Sequence, residues 1–215
     1  MNIKWLGHSC FLITSEEGLR VITDPYSVGQ GISYSRIEET ADIVVVSHDH
    51  FDHNNVSAVR GKPEVVRGNG MKTARGIQFR GVASYHDSSQ GKQRGANTIF
   101  CFSLDGIKLC HLGDLGHLLS QVQINEIGAV DVLFVPVGGF YTIDAANASR
   151  VCDRLEPSVI IPMHFRTARC EFPISGVADF VHGKKKVKEV GSSQIEFKLG
   201  ELPMATEIVV LESAL

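Results

Sequence analysis

Three histidines and two aspartates follow a short apolar run within six positions of the chain. The run at residues 44–46 is wholly valine and reads as a buried strand. Imidazole nitrogens and carboxylate oxygens are zinc ligands, binding at about 2.0–2.2 Å. His48 and His50 alternate, so on extended backbone they project to one side, while Asp52 and His53 follow around the turn and can reach a second point. A solvated, histidine-rich surface loop is the alternative, but the full H-x-H-x-D-H motif after a buried strand favours a metal site.

Three later apolar runs also end in a coordinating residue. The residues are His86, Asp114 and His164, each at the carboxyl end of a predicted strand. Open α/β sheets usually bind ligands at this end of their strands. His111 also follows a strand and is the alternative to His86, unless it is a core histidine. His164 could likewise be a core histidine, but Pro162 and Met163 place it at a strand exit.

Short strands predominate early in the chain, and helices then alternate with strands. A Ser120–Gln123 capping box opens a predicted helix that ends at Gly128, and Asp144 caps another that runs through Leu155. We expect a mixed α/β sandwich with one domain, residues 1–215. Strands are predicted at 3–6, 10–14, 19–23, 44–46, 64–67, 78–84, 97–104, 107–112, 132–137 and 159–162, with three more at the carboxyl end, and further helices at 54–59 and 175–181.

Composition excludes several classes of protein. The 215 residues are 43% hydrophobic, enough for a sizeable core, and the net charge of −3 gives no strong attraction to nucleic acid or acidic lipid. No apolar stretch is long enough to span a membrane, and no signal peptide is recognisable. Five widely spaced cysteines without a C-x-x-C pair indicate reduced core thiols and a cytoplasmic protein. We expect a small-molecule substrate and no nucleic-acid or membrane partner, and the sequence leaves a homo-oligomer open.

The H-x-H-x-D-H motif after a hydrophobic strand resembles the signature of the metallo-β-lactamase superfamily. Other segments are similar to a prokaryotic subgroup of predicted metal-dependent hydrolases that resembles the ascorbate-phosphate lactonases, and the match extends to about residue 170. These segments are 5–9 (WLGHS), 23–25 (TDP), 111–117 (HLGDLGH), 136–144 (PVGGFYTID) and 161–165 (IPMHF). The resemblance implies an α/β (α+β) fold, a four-layer αββα sandwich with two mixed β-sheets.

The resemblance also implies a ligand set for two divalent ions, with Asp114 as the bridging ligand. Zinc is the expected metal and manganese the alternative, since histidine and carboxylate suit both. All seven positions are filled, which argues against a non-catalytic relative. One ion would be held by His48, His50 and His86, and the other by Asp52, His53 and His164.

Two such ions about 3.5–4 Å apart can share a water and lower its pKa from 15.7 toward about 7. The resulting metal-bridged hydroxide would attack a carbonyl or phosphorus atom. The sequence thus predicts a binuclear hydrolase of a small ester, lactone or phosphodiester, with an anionic substrate as one version. The alternatives are an RNA- or DNA-processing phosphodiesterase of the same superfamily and a non-catalytic metal-binding protein. A flavodiiron-type oxidoreductase is disfavoured because such relatives carry a carboxylate where His50 stands.

Three residues are candidates for catalysis. The free oxygen of Asp52 could orient the nucleophile. His8, at a strand turn, could donate a proton or be a buried cap. Tyr141, after two glycines, could donate to an oxyanion or merely pack its ring.

Two features could support the site from outside the ligand set. Asp24 is a candidate partner for a ligand imidazole, or simply begins an Asp-Pro turn. The loop at 87–97 contains Lys92 and Arg94 and predicts either a mobile, basic rim for an anionic substrate or a solvated hairpin loop.

Overall fold

Two mixed β-sheets form the centre of the molecule. We describe residues 1–215 from a computed structural model. The strands are β1 Asn2–Gly7, β2 Cys10–Thr14, β3 Arg20–Thr23, β4 Ile43–Val46, β5 Glu64–Arg67, β6 Gly70–Ala74, β7 Ile77–Tyr85, β8 Ala96–Leu104, β9 Ile107–His111, β10 Val132–Pro136, β11 Val159–Met163, β12 Val187–Glu189, β13 Gln194–Glu196 and β14 Glu207–Val210. The helices are α1 Gln121–Ile127, α2 Ala145–Leu155, α3 Val177–Val181 and a single 3-10 turn, Val56–Ala58.

The six-stranded sheet has the order β13-β1-β2-β3-β4-β5. Its first strands pair antiparallel as a meander, and β3, β4 and β5 are parallel. The eight-stranded sheet has the order β12-β14-β11-β10-β9-β8-β7-β6, with parallel pairing from β12 to β9 and antiparallel pairing from β9 to β6. Because β9, β10 and β11 are parallel neighbours, their carboxyl ends lie along one edge.

The two sheets pack face to face over a core of 44 buried residues. Phe11 of β2 meets Phe134 of β10 across the interface, with ring centroids 4.5 Å apart. Helix α2 packs on the outer face of β10 and against α3, and α1 lies on β7. Apolar burial of this extent is the main favourable contribution to the stability of the sandwich.

The outer face of the six-stranded sheet is covered differently. A second core of 14 buried residues joins sheet residues such as Ile22 and Val44 to Tyr26, Tyr34 and Ile37 of the long connection between β3 and β4. This connection contains no helix, and only the 3-10 turn lies nearby in sequence. The layer on this side is thus largely irregular.

The fold class predicted from the sequence, a sandwich of two mixed sheets, is confirmed. The capping box at Ser120, the Asp144 cap and the strand boundaries agree within one or two residues at most positions. One strand was missed, β6, which lies at the edge of its sheet and is mostly exposed, so its sequence lacks an apolar alternation. The predicted helix at 54–59 is only a 3-10 turn.

None of the helices is both long enough and apolar enough to cross a membrane. The five cysteines are free thiols, and four of them are buried.

We predict that Phe134→Ala lowers the free energy of unfolding by about 3–5 kcal/mol, because it opens a cavity between the sheets where no solvent reaches. Denaturant titration followed by circular dichroism would measure the change. The matched control is Val122→Ala on α1, whose side chain is 65% exposed and should change stability by less than about 0.5 kcal/mol. A loss below about 1 kcal/mol at Phe134 would contradict this account of the core.

Candidate metal centre

Four strand ends meet at one end of the sandwich. The turn after β4 contributes the residues from Ser47 to His53, and His86, Asp114 and His164 follow β7, β9 and β11. Backbone hydrogen bonds hold these segments against neighbouring parts of the sheets, including Thr98 N–H of β8 to the Ser47 carbonyl at 2.9 Å and His164 N–H to the His8 carbonyl, just after β1, at 3.2 Å. All seven predicted ligand residues are thereby brought together.

Two glycines allow the Asp114 loop to approach its neighbours. A Cβ on Gly113 would lie 2.4 Å from the Asn97 side-chain oxygen and 2.6 Å from Ser47 Cβ. A Cβ on Gly116 would lie 2.4 Å from the backbone between His86 and the next residue. Real Cβ atoms do not approach so closely, so any other residue at these positions would push Asp114 away from the cluster.

The first group of imidazoles comprises His48, His50 and His86, whose candidate ligand atoms lie within 4.8 Å of one another. His48 Nε2 and His50 Nδ1 are 3.1 Å apart. Two ligands at zinc-bond length on a tetrahedral ion are separated by about 3.3 Å. The spacing therefore fits two nitrogens directed at one ion.

The second group comprises Asp52, His53, His164 and also His8. Asp52 Oδ2 lies 3.6 Å from His53 Nε2 and 3.1 Å from His8 Nε2. The rings of His8 and His164 are in contact, with centroids 4.1 Å apart and the ring planes tilted by 45°. The structure thus places His8 against the predicted ligand Asp52, inside the cluster.

Asp114 lies between the two groups. Its Oδ2 is 3.1 Å from His86 Nε2, 3.2 Å from His53 Nε2 and 3.2 Å from His164 Nε2. Its backbone N–H donates to Asn97 Oδ1 at 3.0 Å, which fixes the loop. One carboxylate oxygen therefore faces imidazoles of both groups, the arrangement expected of a bridging ligand.

Hydrogen bonds outside the cluster set the tautomers of three imidazoles. His53 Nδ1–H donates to Asp24 Oδ2 at 3.0 Å, and His86 Nδ1–H donates to the Tyr141 carbonyl at 3.1 Å. Ser47 Oγ–H donates to Asp24 at 2.6 Å, so Ser47 Oγ accepts from His48 Nδ1–H at 2.9 Å. In the neutral form each ring then directs an Nε2 lone pair into the cluster, as a metal ligand must.

Burial keeps some of these imidazoles neutral. Loss of solvation, together with His164, lowers the pKa of His8 to about 4. Loss of solvation, together with His53, lowers the pKa of His48 to about 3. Both side chains therefore carry lone pairs at neutral pH.

The carboxylates of the cluster are held ionised. Burial alone would raise the pKa of Asp114, but His164, His53 and His86 together lower it well below its ordinary value. The pKa of Asp52 is also lowered, because His53 and His8 outweigh its burial. Burial would lower the pKa of His53, yet Asp114 and Asp52 raise it well above the usual value.

The donor atoms fit a cation. His53 Nε2 and Asp114 Oδ1 are buried and have no hydrogen-bond partner in the protein. Buried polar atoms normally have partners, and unpaired ones cost about 1–3 kcal/mol each. Together with the ionised carboxylates, these atoms form a His/Asp cluster that could bind metal.

The residues Ser47 and Asn97 were not predicted. Ser47 joins Asp24 to His48, and Asn97 holds the Asp114 loop through its Oδ1 while its Nδ2 donates to the Leu112 carbonyl at 2.9 Å. Ser47 directly precedes the H-x-H-x-D-H motif, so its position in the sequence could have marked it as a supporting residue. Asn97 had no such signal, because its partners are 13 or more residues away in the chain.

The alternative ligand His111 lies outside the cluster. Its Nε2–H donates to the Ser9 carbonyl at 3.0 Å, and its Nδ1 accepts from Gly113 N–H at 3.2 Å. Both ring nitrogens are therefore engaged by backbone, as in a core histidine. His86 occupies the position in the first group.

Three residues at the site have left-handed backbone. The φ angles are 52° at His8, 39° at Asp24 and 50° at His164. Asp and His tolerate this region better than most residues, but it remains uncommon outside glycine. Its recurrence at three positions of one cluster indicates that the surrounding structure holds these side chains in place.

A cavity of about 470 Å³ opens above the cluster, of a size that suits a small molecule. Phe51, Tyr141, Phe172 and Arg94 line it together with the cluster residues. Tyr141 thus lies at the cavity wall, as a catalytic or packing role requires.

For the loop at 87–97 the sequence left a mobile, basic rim and a solvated hairpin loop open, and the structure shows that hydrogen bonds to one side chain close this loop. The buried carboxylate of Asp87 accepts the backbone N–H groups of Ser89 and Gly91 on one oxygen and those of Gln93 and Arg94 on the other, at 2.7–3.0 Å. The loop is therefore closed around one side chain directly after His86. No residue pattern indicates this closure, because the donors are all main-chain groups.

Residues 2–164 match a family model described as a β-lactamase superfamily domain. The chain belongs to the metallo-β-lactamase superfamily. A protein of Archaeoglobus fulgidus named a UPF0173 metal-dependent hydrolase is 31% identical over 78% of this chain and 84% of its own length. A protein of the same name from Carboxydothermus hydrogenoformans is 31% identical over 78% of this chain and 85% of its own.

A crystal structure from Thermotoga maritima, described as a candidate Zn-dependent hydrolase of the metallo-β-lactamase superfamily, matches with a TM-score of 0.80 and 38% identity, covering 98% of both chains. The predicted enzyme class, a metal-dependent hydrolase of this superfamily, is confirmed.

We predict that Asp24→Asn weakens zinc binding about 10- to 100-fold, because the amide cannot hold His53 and Ser47 as the carboxylate does. Competition with a fluorescent zinc chelator would measure the affinity. Asp153→Asn, at an exposed position on α2, is the matched control and should bind as the wild type does. An Asp24→Asn affinity within twofold of the wild type would show that this carboxylate does not support the site.

Proposed function

We propose that this chain is a binuclear metallo-hydrolase acting on a small ester, lactone or phosphodiester. The observation that carries the proposal is the position of Asp114 Oδ2, within 3.1–3.2 Å of imidazole nitrogens from both groups. A carboxylate in this position can be shared by two ions. The names of the relatives support metal dependence and hydrolysis.

The proposed ligands divide as the resemblance implied. Asp114 would be shared, and nitrogen and oxygen donors of this kind suit zinc, with manganese as the alternative. One ion would be held by His48 Nε2, His50 Nδ1 and His86 Nε2, and the other by Asp52, His53 Nε2 and His164 Nε2.

When bound, paired divalent ions would make hydroxide available at neutral pH and polarise the oxygen of the scissile group. The residues of the chain would position the reactants. His8, neutral at pH 7, would donate its Nε2–H to Asp52 and fix the orientation of that carboxylate. Asp52 would in turn orient the nucleophile. The hydroxyl of Tyr141 has no hydrogen-bond partner in the protein and would be free to donate to a developing oxyanion.

The size and charge of the cavity favour a small substrate over a nucleic acid. Beside the ligand residues, its charged side chains are Asp49 and Arg94, which do not form the basic track that a polynucleotide backbone requires. A lactone is among the candidates because of the resemblance to the ascorbate-phosphate lactonases. The five free cysteines support a cytoplasmic location.

The proposal is tested by loading the protein with zinc or manganese and assaying p-nitrophenyl esters, simple lactones and bis(p-nitrophenyl) phosphate. We expect turnover of at least one class, abolished by a chelator and restored by metal. A single-stranded RNA substrate is the comparison for the nuclease alternative. Two bound metals without turnover of any substrate would favour a non-catalytic binding protein and overturn the proposal.

We predict that Asp114→Ala loses at least one of the two metal ions and lowers kcat/KM about 1,000-fold or more, because the shared ligand is removed. Metal content would be measured by inductively coupled plasma mass spectrometry on the purified protein. The exposed Asp153→Ala variant serves as the control. Retention of two ions by Asp114→Ala would refute the bridging role.

A further inference from the structure

Arg94 stands at the border of two cavities. One is the cavity above the cluster, and the second, of about 460 Å³, is lined by His48, Arg67 and Thr98 among others. Both are lined by Asp49, His50 and Arg94. A group bound beside Arg94 would therefore lie next to a proposed metal ligand.

The two arginines of these cavities differ in their partners. Arg67 Nη1 lies 3.1 Å from Asp49 Oδ1, and its other amino group donates to Asn54. The Arg94 guanidinium forms no ion pair and no side-chain hydrogen bond, and it rests over the Tyr141 ring at 5.6 Å. Its N–H donors are thus available to a ligand.

The backbone of Arg94 is held in place before any ligand arrives. Its N–H donates to Asp87 Oδ2 at 2.8 Å, and Asp87 directly follows His86. The ring beneath the guanidinium, 5.6 Å away, belongs to Tyr141, whose carbonyl accepts from His86 Nδ1 at 3.1 Å. The backbone of Arg94 is therefore held close to a proposed ligand, and its side chain lies over a residue that contacts the same ligand, which reduces the ordering cost of binding.

We propose that Arg94 binds an anionic group of the substrate, a carboxylate or a phosphate, and so selects substrates that carry a negative charge at one end and the scissile bond at the other. This inference rests on the proposed hydrolase function. The planar guanidinium matches both anions through paired hydrogen bonds. The rings of Phe51, Tyr141 and Phe172 provide an apolar wall for a short chain between the two ends.

The test compares two esters of equal length on the metal-loaded enzyme. Mono-4-nitrophenyl glutarate carries a terminal carboxylate, and 4-nitrophenyl pentanoate is its uncharged counterpart; a terminal phosphonate in place of the carboxylate distinguishes the two anions. We expect Arg94→Met to lower kcat/KM for an anionic ester about 10- to 100-fold and to leave the neutral ester within about twofold. Arg94→Lys should retain part of the preference, since it keeps the positive charge but loses the paired hydrogen bonds of the planar guanidinium.

The matched control is Lys92→Met, in the same loop, because Lys92 is exposed and lines neither cavity. It should leave both esters unchanged. An equal loss on charged and neutral esters in Arg94→Met would indicate a structural role and overturn the proposal. An unchanged preference in Arg94→Met, or a loss of preference in Lys92→Met as large as in Arg94→Met, would also overturn it.

A binding measurement separates this inference from the proposed function. Calorimetric titration of the metal-loaded protein with glutaramate, against uncharged glutaramide, requires no turnover. Tighter binding of glutaramate that depends on Arg94 supports the inference even if neither ester is hydrolysed. That outcome would count against the proposed hydrolysis of esters and leave the anion site standing. Equal glutaramate affinities of the wild type and Arg94→Met would overturn the inference even if hydrolysis is found.

Discussion

The structure depends on the balance of charge around three buried carboxylates. Asp24, Asp52 and Asp114 are each less than a tenth exposed, and all three face His53. The Oδ2 atom of Asp24 lies 3.0 Å from His53 Nδ1, and those of Asp52 and Asp114 lie 3.6 and 3.2 Å from His53 Nε2. Burying an ionised carboxylate is costly unless a positive charge compensates it. Although burial would lower them, the nearby Asp114 raises the pKa values of His53 and His86, and both rings protonated would still balance only two of the three carboxylates. The cluster is therefore short of positive charge, and divalent cations are the partners that such a donor set favours.

This arrangement needs the two sheets to present their strand ends at one place. The turn after β4 belongs to the six-stranded sheet, whereas Asp114 and His164 follow strands of the eight-stranded sheet. The packing of Phe11 against Phe134 and the surrounding core keeps the sheets at a fixed separation. Left-handed backbone at three site positions, which can cost about 1–3 kcal/mol each, is tolerated because this core is extensive.

Hydrogen bonds from residues outside the cluster orient three of the imidazoles. Asp24, Ser47 and the Tyr141 carbonyl hold the Nδ1 sides of three rings, leaving their Nε2 atoms directed inward. Tyr141, through its ring under Arg94, and Asp87, through its hydrogen bond to Arg94 N–H, also connect the centre to the loop that carries Arg94. Metal ligation and substrate selection, as proposed here, therefore depend on shared supports.

The sequence alone determined the strands, the capped helices and the identity of the candidate ligands. These are local properties: an apolar run followed by H-x-H-x-D-H, or a serine three residues before glutamine, can be recognised without distant contacts. The choice of His86 over His111, the central position of Asp114 and the supporting residues Ser47 and Asn97 were decided only by the tertiary structure. So was the closure of the 87–97 loop on Asp87. Each of these depends on pairings between segments far apart in the chain or on main-chain donors, and neither leaves a periodic pattern in the residues themselves.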